Sequence, residues 1–90
     1  MNMKIQEVAL VKTKSEKVKA RADVHFGWFW LKGFKILFDE EKHRHYVTPP
    51  SYLSGFGWRA LFKTDSKEDW NEIQKRILET FDEHEIEESM

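Results

Sequence analysis

Between Val18 and Phe26 the chain alternates without a break. Val18, Ala20, Ala22, Val24 and Phe26 are separated by Lys19, Arg21, Asp23 and His25. A period of two predicts a half-buried strand with one wet face. Ile5–Val11 predicts a strand before it, with Val8 and Leu10 on one face, and the polar run Lys12–Lys17 predicts the turn between them. The stretch that follows, Phe26–Phe38, is denser in large apolar residues, and aromatic and branched side chains at this density favour an extended chain. Gly27 is the natural turn into it, and Gly33 inside it marks a bulge or a close backbone approach. By simple alternation Trp28, Trp30, Phe34, Ile36 and Phe38 point one way. Phe29, Leu31, Gly33, Lys35 and Leu37 point the other. The first half of this strand is then apolar on both faces, which suits a central strand covered on both sides. The protein's own helix would cover one side and a second copy of the chain the other; the alternative is a two-sided core strand in a monomer.

Asp39–Arg44 is a charged turn, His45–Thr48 a short fourth strand, and Pro49-Pro50 its end, because two missing amide donors cannot extend a ladder. Ser51–Gly57 predicts a loop and Trp58–Phe62 a fifth strand. The period then changes. Trp70, Ile73, Ile77 and Phe81, with Leu78, share one helical stripe, preceded by Asp65 or Ser66 as the N-cap and by carboxylates in the first turn. This amphipathic helix is predicted to reach about His84, leaving Glu85–Met90 as a disordered acidic tail. Strands followed by one helix make the class α+β: one domain over residues 1–84, a small antiparallel meander of four to five strands with a C-terminal helix.

At 90 residues and 40% apolar, the chain can build one modest core. It has no cysteine, which excludes disulfides and zinc–thiolate sites and fits a reducing cytoplasm. No stretch has the form of a secretion signal or a bilayer-spanning helix, so the expectation is a soluble cytoplasmic protein without a membrane partner. The net charge of −1 conceals an asymmetry. Met1–Lys63 carries 12 Lys/Arg and 6 Asp/Glu, a balance of +6, and Thr64–Met90 carries 3 and 10, a balance of −7. A basic sheet can attract phosphate locally even in a neutral protein. The plainer alternative is that the two halves attract each other or are simply solvated. A further possibility is that the acidic tail folds over the basic face as a self-inhibitor.

No catalytic set stands out. The chain has no phosphate-cradling glycine motif, nucleophile elbow or two-histidine zinc helix, so an enzyme is not expected, and no cofactor is implied. His43 and His45 would share a face in a strand and could chelate a metal, although such a pair in a charged hairpin is more often plain surface. His25 and His84 read as structural. The aromatic loop is richer: Tyr52, Phe56 and Trp58 are interleaved with Ser54, Gly55, Gly57 and Arg59. Aromatics beside an arginine suit stacking on bases with phosphate held alongside. The same residues could instead close the end of the core or meet a partner subunit, or form a hot spot for another protein. Lys12, Lys14, Lys17, Lys19 and Arg21 of the first hairpin could add electrostatic attraction.

Five segments in order give the chain a family likeness. They are Ile5–Leu10, Lys17–Phe26 with its Lys-Ala-x-Ala-x-Val-x-Phe pattern, Phe29–Ile36, the Tyr46-Val47-Thr-Pro-Pro50-Ser51 run, and Arg59 ahead of the helix. Together they resemble the stage V sporulation protein G (SpoVG, septation protein) family. The resemblance implies a small antiparallel sheet with a C-terminal helix, intertwined as a dimer. It further implies a bacterial cytoplasmic regulator that binds DNA, and in some members RNA, linked to sporulation, septation and gene expression. Arg59 is the matching basic residue. Tyr52-Leu53 stands where the family carries a basic pair, which exchanges charge for stacking or apolar surface and shifts the expected ligand towards single strands. The competing expectation is a dimeric protein-interaction domain that has lost nucleic-acid binding.

Overall fold

The computed structural model describes residues 4–89, with side chains as far as Glu83. The acidic tail expected over Glu85–Met90, and His84 beside it, lie outside the residues whose side chains are described. Six strands and one helix follow in order: β1 (Ile5–Lys12), β2 (Val18–Phe26), β3 (Phe29–Asp39), β4 (Arg44–Thr48), β5 (Ser51–Ser54), β6 (Gly57–Ala60) and α1 (Lys67–Ser89). β1 to β4 form one antiparallel sheet in chain order, and β5 with β6 forms a separate two-stranded ribbon. The architecture is α+β, as the change of period predicts. Among the described residues, no helix is long and apolar enough to cross a membrane.

The helix covers one face of the sheet. Ala20, Ala22, Val24 and Phe26 from β2, Phe34 and Ile36 from β3, and Val47 from β4 are buried against Ile73, Ile77 and Phe81 of α1. The stripe at i, i+4 and i+8 is therefore the face that the helix buries. Ser66 starts it as the N-cap, its hydroxyl accepting the Asp69 N–H at 3.1 Å. Trp70 and Phe62 close the end of this core, with Phe34 lying 5.5 Å from Phe62 and 6.2 Å from Trp70 between ring centroids.

The simple alternation along β3 fails at Gly33. Ala22 pairs with Phe34 but Asp23 pairs with Lys32, so Gly33 is an extra residue in β3. An extra residue reverses which face each later side chain meets. Phe29 and Leu31 therefore join Phe34 and Ile36 on the helix side, and Trp30 turns to the outer face with Lys35 and Leu37. The bulge needs glycine, because its φ is +104°. Its freed amide is not left unpaired: the Gly33 N–H donates to the Asp23 carboxylate at 3.3 Å. Asp23, which alternation places on the wet face, is buried rather than exposed.

The stretch Ser51–Gly57 is also more ordered than a loop. Tyr52 pairs with Arg59 and Leu53 with Trp58 across a two-residue turn at Gly55-Phe56. The Ser54 hydroxyl donates to the Gly57 carbonyl at 2.7 Å and accepts the Phe56 N–H at 3.1 Å, which closes the turn. The strand expected at Trp58–Phe62 forms at Gly57–Ala60, in the ribbon and not in the main sheet. Phe62 instead packs on the core.

Candidate nucleic-acid interface

The outer face of the sheet, opposite α1, carries the residues that interrupt the apolar alternation. On β2 these are Lys19, Arg21, Asp23 and His25; on β3 they are Trp30, Lys32, Lys35 and Leu37. Arg21 and Lys35 are cross-strand partners in register, so two like charges lie side by side, an arrangement that costs stability unless something screens it. Two contacts do so. The Arg21 Nε lies 3.5 Å from the Asp23 carboxylate. The Lys35 ammonium sits 5.3 Å from the centroid of the Trp58 ring, within cation–π range.

The Lys35–Trp58 contact brings the ribbon to this face. Lys19 and Arg21 of the first hairpin and Trp58 of the aromatic loop are thus joined through Lys35, a residue that sequence reading left out of the site. Lys14 and Lys17 lie in the β1–β2 turn, at one end of the sheet. Lys12 is in register with Ala20, a core residue, so its row belongs to the helix side of the sheet. The ribbon itself divides the remaining predicted residues. Leu53 and Trp58 share one of its faces, while Tyr52 and Arg59 share the other. Arg59 is therefore exposed but does not lie in one stripe with Arg21 and Lys35. Phe56 stands at the ribbon tip, 93% exposed.

At the other end of the outer face, His25 and Trp30 are cross-strand partners whose rings stack at 4.8 Å and 12°. Trp30 remains 41% exposed, and Trp28, in the turn before it, 86%. Trp30 was hidden in the sequence because its outward direction depends on the bulge at Gly33.

His43 and His45 do not share a strand face, as a chelating pair would need. His43 is in the β3–β4 turn with a left-handed φ of 50°, and His45 faces α1, its ring 5.0 Å from Phe38 and 4.9 Å from Phe81. Among the described residues, no group of three or more histidine, aspartate or glutamate side chains is placed to hold a metal ion.

The arrangement offers cations for phosphate and flat rings for bases on one surface. No family model matches the chain, and no curated protein matches it either.

Proposed function

We propose that the protein is a nucleic-acid-binding regulator of the kind its resemblance to the SpoVG family implies, acting as a homodimer in the bacterial cytoplasm. The contact surface in this reading is the outer face of β2 and β3, flanked by the β5–β6 ribbon. The observation that carries it is the Arg21–Lys35–Trp58 group, two cations and a ring held together on one exposed surface. Lys19 and Lys32 extend the charge along the same face, and Lys14 and Lys17 continue it at the sheet end. Arg59 and Tyr52 offer a second contact from the far side of the ribbon.

The test is fluorescence anisotropy with labelled DNA and RNA at several salt concentrations. Binding should weaken steeply as salt rises, because each neutralised phosphate releases counterions. Replacing Arg21 or Lys35 by Glu should weaken it across all sequences and flatten the salt dependence by about one contact each. Absence of binding at low salt would refute the reading.

One observation favours a second reading, a domain that binds another protein. Leu53, Phe56, Trp58 and Leu61 are all strongly exposed on or beside the ribbon. Exposed apolar residues gathered on one ribbon in this way suit a protein interface. Under that reading, Phe56→Ser and Leu53→Ser abolish partner capture, and the salt series shows no nucleic-acid complex.

A further inference from the structure

We infer that the outer face takes single-stranded nucleic acid in preference to duplex, with bases stacked on Trp30 and Trp58. This rests on the nucleic-acid reading above and adds to it the form of the ligand and two residues of the outer face, Trp30 and His25.

Each ring is held on one side and open on another. His25 lies parallel to Trp30 at 4.8 Å and fixes its plane, and the exposed part of Trp30 is what remains away from His25. Lys35 holds Trp58, which stays 66% exposed. A ring contact on one side restricts each indole before the ligand arrives, so less ordering remains to oppose binding. Base stacking on such a ring is tolerant of sequence, because every base has a flat face.

The spacing suits an extended strand. Trp30 and Lys35 are five positions apart on β3, one of them the bulge, so about 13 Å of strand at ~3.3 Å per residue separates Trp30 from the lysine that contacts Trp58. Lys32 and the Arg21–Lys35 pair lie between and beside them, where a backbone linking the two stacked bases would pass. Duplex recognition needs none of this. Its bases are already stacked on each other, and it is read by an element that enters a groove or by phosphate contacts alone. A surface built only for duplex would be served by Lys19, Arg21, Lys32 and Lys35, and its exposed tryptophans would have no work.

The experiment measures affinity for oligonucleotides of about 12 nucleotides, single-stranded and duplex, together with quenching of intrinsic tryptophan fluorescence. The proteins are the full chain, Trp30→Leu, Trp58→Leu, Trp30→Phe and Trp58→Phe, each checked for an unchanged circular dichroism spectrum. We expect single strands to bind more tightly than duplex and to quench the fluorescence. Each Leu variant should lose about tenfold for single strands, and each Phe variant should keep most of the affinity. Equal binding of both forms, indifferent to all four variants but weakened by Arg21→Glu, would overturn the stacking inference and leave the nucleic-acid reading standing. No binding of either form would remove both. Fluorescence that changes with protein concentration and not with oligonucleotide would show a second copy covering the face, and would overturn the inference as well.

Discussion

A single glycine decides which aromatic side chains belong to the core and which to the surface. Gly33 adds one residue to β3, and the consequence is that Phe29 and Leu31 reach the helix while Trp30 reaches water. Two features hold the bulge. Its φ of +104° is open only to glycine, and its amide donates to the buried Asp23 carboxylate. A Cβ built on Gly33 would meet Pro50 at an ordinary 3.6 Å, so sterics with the neighbour are not the obstacle; the backbone angle is. Gly33→Ala should therefore cost about 1–3 kcal/mol in a denaturation experiment. Asp23→Ala should cost a similar amount, about 1–3 kcal/mol, because it leaves the Gly33 N–H without its acceptor in a partly buried place. Asp23→Asn keeps an acceptor oxygen and should lose less. If Asp23→Ala proved as stable as the native chain, the carboxylate would not be what anchors the bulge.

The elements themselves were legible where pattern alone decides them. The unbroken alternation of Val18–Phe26 gives β2 with its observed bounds, and Ile73, Ile77 and Phe81 at four-residue steps give the helix face that is buried. Two things were not legible, and both depend on pairing. The direction of Trp30 follows from the register of β3 against β2, which a sequence of one strand does not contain. The ribbon follows from Tyr52 finding Arg59 and Leu53 finding Trp58, whereas Ser54, Gly55 and Gly57 read locally as a loop. The glycines mark only the turn. Lys35 was overlooked for the same reason, since its importance comes from Trp58, 23 positions away in the chain and 5.3 Å away in space. The helix is held chiefly by its buried stripe, since most helical stability in proteins comes from tertiary packing. Ile77→Ala, at a fully buried position, should accordingly remove about 2–5 kcal/mol. That is a large share of the roughly 5–15 kcal/mol that holds a domain of this kind together. A thermal melt shifted by only a degree or two would mean that α1 packs more loosely than its burial indicates.

The charge asymmetry read from the sequence becomes a difference between two layers. The basic residues Lys19, Arg21, Lys32 and Lys35 lie on the outer face of the sheet, and the acidic half of the chain is α1 on the opposite face. Glu68, Glu72 and Glu83 are exposed on the helix and are separated from the outer face by the thickness of the sheet and the core. That separation exceeds one Debye length, which is about 10 Å at 0.1 M salt. The helix carboxylates should therefore oppose phosphate binding by long-range repulsion at low salt and be nearly silent at higher salt. Replacing Glu68, Glu72 and Glu83 by Gln together should raise nucleic-acid affinity severalfold at about 10 mM salt, where the screening length is near 30 Å, and leave it almost unchanged near 0.15 M. The same comparison separates a field acting through the molecule from a segment folded back on it. Deleting Glu85–Met90 removes three further carboxylates. If they act only through the field, that deletion should follow the same salt pattern. A gain in affinity that persisted at 0.15 M would instead require the acidic end of the chain to touch the basic face directly, as a competitor that the nucleic acid must displace.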